Sequence, residues 1–187
     1  MYPLFEPFKA RAEAVSAEVH RCGTQREACD LILGLLREQG VQAAPGAGAL
    51  WAGGTFLEGM GREALAAAAP GLSFEVTREA AAAAKVGISQ MGWGIADTGT
   101  LVVDAAPVEQ RLVSTLPPIH VAVVGTSRIQ PDMPAVLKRI HPGQTNYISM
   151  ITGPSRTADI ERVLTIGVHG PHRLIIVAVD EFERGNA

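Results

Sequence analysis

A segment near the carboxyl end of the chain, GPSRTADIERVLTIGVHGP (Gly153–Pro171), brings several reactive side chains together. Ser155 and Thr157 offer hydroxyl groups, and Arg156 offers a planar guanidinium that can bind a carboxylate or phosphate through paired hydrogen bonds. The apolar run before Gly153 is typical of a strand, and the residues after it favour a helix. Because α/β sheets bind anions where a strand passes through glycine into a helix, at the carboxyl edge, the segment predicts a site for a small carboxylate or phosphate.

The same segment contains groups suited to proton transfer. Asp159 could act as a general base or orient Arg156. His169 is of the residue type most often used for general acid–base catalysis, and the adjacent Gly170 permits a sharp turn of the chain. The alternative is a capped surface helix, in which Ser155 or another hydroxyl accepts the first N–H groups and Gly170 ends the helix. The residue types allow both interpretations.

A second stretch, MGWGIADTGTLVVDAA (Met91–Ala106), surrounds one carboxylate with glycines and hydroxyls. Asp97 could serve as a nucleophile, a general base or an anchor for a substrate hydroxyl. Thr98, Gly99 and Thr100 would place hydroxyls and free amides beside it. The alternative is a hairpin-type turn in which Asp97 bonds its own backbone.

The histidines do not form a metal-binding pattern. His120 stands at the entrance of an apolar strand, and we interpret it as a buried histidine whose hydrogen bonds are satisfied. The sequence has no His-x-x-x-His pair and no close cluster of His, Asp and Cys, so we predict no metal site. Ser155 lacks the G-x-S-x-G pattern, which argues against a serine hydrolase.

Short, nearly continuous apolar runs recur in the second half of the chain: LVVDA (101–105), HVAVVG (120–125), NYISMI (146–151) and LIIVAV (174–179). Such runs are typical of strands buried on both faces, as in parallel or mixed sheets covered by helices. Helical patterns alternate with them, so the sequence predicts an α/β fold with a mixed, largely parallel sheet flanked by helices.

The first 44 residues have a mainly helical pattern. Residues 8–20 favour a first helix, rich in alanine and in charges of both signs. Thr24 and Glu27 have the spacing of a capping box at the start of a second helix, which Gly40 would end. We therefore divide the chain into an N-terminal helical arm, residues 1–44, and an α/β domain, residues 45–187.

The composition excludes several classes of protein. With 47% hydrophobic and 19% charged residues and a net charge of -3, the 187-residue chain is globular and has no general attraction to nucleic acid or anionic membranes. No apolar run is long enough to span a bilayer, and charges interrupt the N-terminus where a signal peptide would be apolar. The two cysteines, Cys22 and Cys29, make a disulfide framework improbable. We therefore expect a cytoplasmic protein that binds neither nucleic acid nor membrane.

Three stretches, taken in order, resemble one known family: ADTGTLV (96–102), RLVSTLPPIHVAVVGTSRIQP (111–131) and the Gly153–Pro171 segment. They are similar to the LUD domain of lactate-utilization proteins, and most similar to the lactate-utilization protein C (LutC) type. The resemblance covers roughly residues 45–180. It implies an α/β fold akin to that of the sugar-phosphate isomerase and CoA-transferase group, the NagB/RpiA-like fold.

The resemblance also implies a role in oxidising L-lactate to pyruvate, together with two iron–sulfur partner proteins. Redox chemistry would stay with those partners, because this chain has neither the cysteines for a cluster nor a recognisable flavin motif. We expect an accessory subunit without a cofactor of its own, whose pocket between the Asp97 turn and the Ser155 loop binds a small carboxylate or a partner segment. The motif positions carried over are Asp97, Thr98, Gly99, Thr100, Ser155, Arg156, Asp159, His169 and Gly170.

Two other functions fit the same residues. The first is a stand-alone isomerase or acyl/CoA-type transferase acting on a small anion, with Asp97 as base or nucleophile and Arg156 holding the anion. The second is a non-catalytic binding module that regulates lactate metabolism. Likeness of fold does not separate these functions.

Overall fold

A computed structural model describes residues 2–140, 143, 145–158, 164–166 and 169–182. Its strands are β1 (Glu18–Thr24), β2 (Ala49–Trp51), β3 (Leu72–Ser73), β4 (Val86–Gln90), β5 (Trp93–Ile95), β6 (Thr100–Asp104), β7 (Ile119–Gly125), β8 (Ile129–Gln130), β9 (Ile148–Ile151), β10 (Arg156–Ala158), β11 (Leu164–Ile166) and β12 (Arg173–Glu181). Six of them form one parallel sheet in the order β1-β12-β7-β4-β2-β3. The predicted α/β class with a largely parallel sheet is confirmed.

Strands β7 and β12 lie at the centre of the core. All seven residues of β7 are buried, as are those from Leu174 to Val179 in β12. The strands pair in register from Arg173 opposite Ile119 to Val179 opposite Gly125. Since both faces of the sheet are covered, these strands read as continuous apolar runs without alternating polar residues.

The helices are α1 (Phe5–Ala14), α2 (Gln25–Glu38), α3 (Arg62–Ala68), α4 (Arg78–Ala83), α5 (Val108–Thr115) and α6 (Met133–Leu137). The predicted capping box at α2 is confirmed: Thr24 Oγ1 accepts from the Glu27 N–H at 3.2 Å, and the Glu27 carboxylate accepts from the Gly23 N–H at 2.7 Å. None of the helices in the described ranges combines the length and the apolar character that a bilayer span requires.

The two faces of the large sheet have different covers. The apolar side of α2, including Ile32 and Leu36, packs against one face of the sheet. On the other, Phe8 and Ala12 of α1 belong to the same cluster as Leu101 of β6 and the inward residues of β7 and β12. Helix α1 is therefore part of the core beside the second, smaller sheet.

The second sheet has the order β8-β5-β6-β9, and β6 is antiparallel to both β5 and β9. We expected the apolar runs 101–105 and 146–151 to form strands buried on both faces. This was wrong for the second run, which contains β9, because the residues of β9 alternate between exposed and half-buried. The chain reverses at the Asp97 turn, which places β6 against β5. The apolar runs indicate strands but do not specify which sheet they join.

The N-terminal segment differs from its helical prediction. Helix α1 ends at Ala14, and Glu18–Thr24 forms a strand that pairs with β12 at the edge of the large sheet. The Arg173 guanidinium and the Glu18 carboxylate, 2.9 Å apart, add an ion pair between these two strands. The helical prediction for residues 8–20 was wrong at its carboxyl half because Ser16, with φ of 69°, turns the chain out of the helix. The domain boundary at residue 44 stays a prediction.

The Gly153–Pro171 segment does not begin with a helix. Arg156–Ala158 and Leu164–Ile166 form the antiparallel pair β10–β11. The predicted helix, with its capped and anion-binding N-terminus, was therefore wrong at this position. Thr157, Thr165 and Ile166 are β-branched, which favours extended backbone over helix.

Candidate functional site

A cavity of about 300 Å³ lies beside the Gly153–Pro171 segment. His120 and Leu174 line it from the large sheet and are direct neighbours across β7 and β12. Each is the second residue of its strand, so the cavity lies near the amino ends of the parallel strands. We expected the Gly153–Pro171 segment at the carboxyl edge of the parallel sheet, and that was wrong because the strand before Gly153, β9, belongs to the second sheet, where it is antiparallel to β6.

Two parts of the chain at either end of the Gly153–Pro171 segment form adjoining walls of the cavity. Residues 150–156 form one wall, and His169–Pro171 forms another. The Ser155 N–H donates to the Pro171 carbonyl at 2.8 Å, which joins the two walls. Gly170 permits this close approach, since a Cβ there would lie 3.2 Å from the Cβ of Ser155. Ser155, Gly170 and His169 therefore meet at one cavity.

His120 brings a buried polar group to the cavity. Its side chain is 1% exposed, and its Nε2 lies 2.7 Å from the Ser89 Oγ, a hydroxyl on the neighbouring strand β4 that is itself buried. Its Nδ1 is also buried and has no hydrogen-bond partner among the described residues. Buried polar groups are nearly always paired, so this nitrogen needs an explanation.

The Ser89 contact favours one tautomer of His120. If Nε2 carried the proton, the Ser89 hydroxyl hydrogen would need a further acceptor, and the described residues supply none. If Ser89 donates to Nε2 instead, both of these atoms are satisfied and the ring proton is on Nδ1. An unsatisfied buried N–H costs about 1–3 kcal/mol. The Nδ1–H is therefore a donor that a bound oxygen atom would satisfy.

Burial also fixes the charge of this histidine. Desolvation lowers the pKa of His120 from its ordinary value of 6.5 to about 4, so the ring is neutral at pH 7. A neutral imidazole can donate one hydrogen bond and accept another but does not attract an anion by charge. The neutral His120 ring is thus suited to donate a hydrogen bond to an oxygen acceptor. The positive charge at this cavity comes from Arg156.

Arg156 lines the cavity and also holds the N-terminal segment. Its Nη2 donates to the Val15 carbonyl at 2.5 Å and to the Ser16 Oγ at 2.7 Å. These bonds satisfy a carbonyl at the end of α1, where helix carbonyls lack partners in the helix. Arg156 therefore has a structural contact in addition to its place at the cavity.

Asp97 lies outside the cavity lining. It is exposed in the turn between β5 and β6, where the Gly99 N–H donates to the Ile95 carbonyl at 2.9 Å. Gly99 has a φ of 68°, and a Cβ there would lie 2.3 Å from the Ala12 nitrogen, so α1 packs directly on this turn. Asp97 is therefore absent from the lining that includes Ser155, although we expected both residues in one pocket.

A chain of hydroxyl groups links this turn to the cavity wall. Thr98 Oγ1 and Thr100 Oγ1 are 2.8 Å apart, and Thr100 Oγ1 lies 2.8 Å from Thr152 Oγ1. Thr152 lines the cavity. Thr100 thus helps to position that wall, whereas Thr98 and Asp97 face solvent.

The LUD domain model matches residues 5–179, from α1 to the buried part of β12. The chain belongs to the LUD domain family. This match extends across the boundary that we predicted at residue 44, and it includes both the His120 strand and the Gly153–Pro171 segment.

Several proteins resemble this LUD domain. A lactate utilization protein C of an Exiguobacterium species is 37% identical over 113 residues, 57% of this chain and 49% of the relative. A lactate utilization protein C of Macrococcus caseolyticus is 38% identical over 104 residues, 52% and 45% of the two chains. The matched part spans about half the length of such curated relatives.

A crystal structure of a DUF162 family protein from Deinococcus radiodurans has a similar fold. Its TM-score is 0.59 with 17% sequence identity, over 95% of this chain and 96% of that one. At this identity the comparison supports the LUD fold and gives no information about the cavity.

The LUD domain thus brings together part of the predicted residue set. Ser155, Arg156, His169 and Gly170 line one cavity, while Asp97, Thr98 and Gly99 lie at another turn. The predictions for Asp159 and for the Thr157 side chain fall outside the described residues. All these roles stay predictions.

Sequence reasoning missed the pairing of Ser89 with His120. A signal was present, since each is a polar residue inside an otherwise apolar strand. The interpretation of His120 as fully satisfied was wrong for its Nδ1. No group of three or more His, Cys, Asp and Glu in the described part of this LUD domain is placed to hold a metal ion.

Proposed function

We propose that this LUD domain is a non-redox component of an L-lactate utilisation system and binds a small carboxylate in the cavity at His120. The names of its relatives, lactate utilization protein C, supply the metabolic context. The buried Nδ1–H of His120 carries the binding part of the proposal. His120 lines the cavity and its Nδ1 has no partner among the described residues, so a ligand oxygen that reached this nitrogen would satisfy it.

The lining of the cavity suits a short, polar anion. None of the described residues that line it is acidic, and Arg156 contributes a positive charge. The Ser155 hydroxyl and the Nδ1–H of His120 provide polar contacts, whereas Leu174 and Ile151 provide apolar ones. Well-placed polar groups beside apolar ones fix the orientation of small ligands. A hydroxy or keto acid has a carboxylate and, next to it, a hydroxyl or keto oxygen, and this arrangement can bind both groups.

The cysteine content supports assigning the redox chemistry to other proteins. This chain has two cysteines, Cys22 and Cys29, and both thiols are buried. An iron–sulfur cluster is held by about four cysteine thiolates, so this chain alone does not supply the ligands. In the proposed system, lactate-utilization iron–sulfur proteins would carry the electrons, and this domain would bind or present the carboxylate.

A titration tests the binding proposal. L-Lactate, pyruvate and acetate are added to the purified protein, and binding is followed by calorimetry. We expect L-lactate and pyruvate, which carry a hydroxyl or keto oxygen beside the carboxylate, to bind more tightly than acetate. His120→Gln should weaken binding by about 10- to 100-fold, the usual worth of a hydrogen bond to a charged ligand. His172→Gln, which changes an exposed histidine outside the lining, is the matched control.

Two results would contradict the binding proposal. One is the absence of any carboxylate binding at millimolar concentrations. The other is binding that His120→Gln leaves unchanged while the variant is still folded at the temperature of the titration.

A reconstitution tests the role in the system. The purified chain is assayed for lactate-dependent dye reduction alone and together with lactate-utilization iron–sulfur proteins. We expect no turnover by the chain alone and turnover in the mixture that depends on this chain. Lactate oxidation by the isolated chain would contradict a non-redox role and favour a stand-alone enzyme.

A further inference from the structure

A second cavity lies at the opposite end of the parallel strands, beside the carboxyl ends of β7 and β12. It measures about 280 Å³ and is lined by Trp93, Ser127, Arg128, Gln130, Arg139 and Phe182. Ser127 and Arg128 follow directly after β7, and Phe182 follows directly after β12. Ligands of open α/β sheets bind outside the carboxyl ends of the strands, so the position itself favours a binding site.

Two guanidinium groups contact one indole ring in this cavity. The Cζ atom of Arg128 lies 4.8 Å from the centroid of the Trp93 ring, and that of Arg139 lies 5.3 Å from it. Cation–π contacts hold both groups in place. The two positive charges repel each other, and an anion between or beside them would offset that repulsion.

A hydrogen bond orients the second arginine. The Arg139 Nε–H donates to Gln130 Oε1 at 3.0 Å. With Nε used in this way, the outer Nη groups of Arg139 are the donors that a ligand would meet. Gln130 therefore acts as a positioning residue for the guanidinium.

The backbone that carries these side chains is anchored to the sheet. The Thr126 Oγ1, which is buried, donates to the Val179 carbonyl of β12 at 3.3 Å. Gly125 lacks a side chain where Phe182 and Arg128 approach, since a Cβ there would lie 3.3 Å from the Phe182 Cβ and 3.4 Å from the Arg128 Cγ. The Asp132 carboxylate accepts from the Ala135 N–H at 2.8 Å and caps α6, the helix that precedes Arg139.

From this geometry we propose that the Trp93–Arg128–Arg139 cavity binds the phosphate group of a small molecule. Two guanidiniums match the charge of a phosphate monoester, which carries about −1.5 to −2 at pH 7. The fork of an arginine fits two phosphate oxygens at once, and the Ser127 hydroxyl lines the same cavity. A monocarboxylate carries half that charge, so it binds more weakly here. This site is separate from the carboxylate cavity and does not depend on it.

The two tryptophans of the chain provide the test. Inorganic phosphate and glycerol 3-phosphate are titrated into nitrogen-15-labelled protein, with acetate at matched ionic strength as the comparison. The indole N–H signal of Trp93, assigned with Trp93→Phe, should shift on adding either phosphate compound and much less with acetate. The signal of Trp51, which is buried in the core, should stay in place. A shift with glycerol 3-phosphate at lower concentration than with inorganic phosphate identifies an organic phosphate as the better ligand.

Charge-removing variants localise the binding. Arg128→Gln and Arg139→Gln should each raise the dissociation constant by about tenfold or more. Arg37→Gln, at an exposed arginine of α2, is the control and should bind like wild type. Arg139 is exposed, so its replacement keeps the fold even if that of Arg128 does not. Millimolar phosphate without effect on Trp93, acetate as effective as phosphate, or unchanged binding by Arg139→Gln would each overturn the proposal.

Discussion

The guanidinium of Arg156 donates to the main-chain carbonyl of Val15 at 2.5 Å, although the two residues are 141 positions apart. Gly153 lies directly against the same carbonyl, since a Cβ at this position would be 2.4 Å from the Val15 oxygen. The residues that form one wall of the carboxylate cavity therefore also pack against the turn after α1. Any change that displaces this N-terminal helix should move the cavity wall with it.

The first prediction concerns the stability contributed by this contact. Arg156→Ala should lower the free energy of unfolding by about 1–2 kcal/mol, because the Val15 carbonyl loses a charged donor but keeps access to water. Urea denaturation measures the change. Arg11→Ala, at an exposed arginine of α1, should cost clearly less, and equal losses in the two variants would show that the Val15 bond contributes nothing.

The second prediction separates backbone strain from steric overlap. Gly46 and Gly153 have similar positive φ values, 76° and 71°, but only Gly153 faces a neighbouring backbone. Gly46→Ala should cost about 1 kcal/mol for the left-handed conformation alone. Gly153→Ala should cost about 1–3 kcal/mol more, because its methyl group meets the Val15 carbonyl. Thermal unfolding of the pair provides the comparison, and matching losses would mean that α1 does not pack on Gly153 as described.

Local features of this fold were predictable from the sequence. The Thr24–Glu27 capping box depends on residues three positions apart, and the strand at His120 depends on one continuous apolar run. Such signals act over a few residues, where side-chain and backbone chemistry decide the conformation. The resemblance to the LUD domain, carried by three longer motifs, added the fold as a whole.

Pairings over long distances could not be predicted in this way. An apolar run such as residues 146–151 favours a strand in either sheet, and only the tertiary fold makes β9 antiparallel to β6. Likewise, the bond from Arg156 to Val15 is invisible in the sequence, so the residue types indicated a ligand instead. The unpaired Nδ1 of His120 was missed for a related reason. Whether a buried nitrogen finds a hydrogen-bond partner depends on strands that are distant in sequence, such as β4 with Ser89.

The third prediction concerns the cysteines. Burial raises the pKa of the Cys29 thiol to about 11, with a smaller contribution from Asp30, and burial also raises the pKa of Cys22. Because the thiolate is the reactive form, both should react slowly with a thiol reagent at pH 8 in the folded protein. Unfolding in urea should release two reactive thiols per chain. Rapid labelling of Cys29 under native conditions would contradict the packing of α2 on the sheet.

The last prediction uses the titration of His120. Its pKa is 6.5 when exposed in the unfolded chain and about 4 when buried in the native state. Between these values the unfolded chain binds the additional proton, so protonation favours unfolding. The stability that the neutral ring provides is therefore complete above pH 6.5 and is lost as the pH falls towards 4. The loss should be on the order of 3 kcal/mol over that window.

Comparison of variants isolates this effect from the carboxylates that titrate in the same range. Urea unfolding is measured between pH 4 and 7 for wild type, His120→Gln and His172→Gln. The wild type and His172→Gln should lose stability in parallel, because His172 is exposed in both states. His120→Gln should be less stable at pH 7, since glutamine does not reproduce the bond to Ser89, but its stability should change less with pH. If all three curves are parallel, His120 is not held neutral by burial, and a buried Nδ1–H would not be available to a ligand at the cavity.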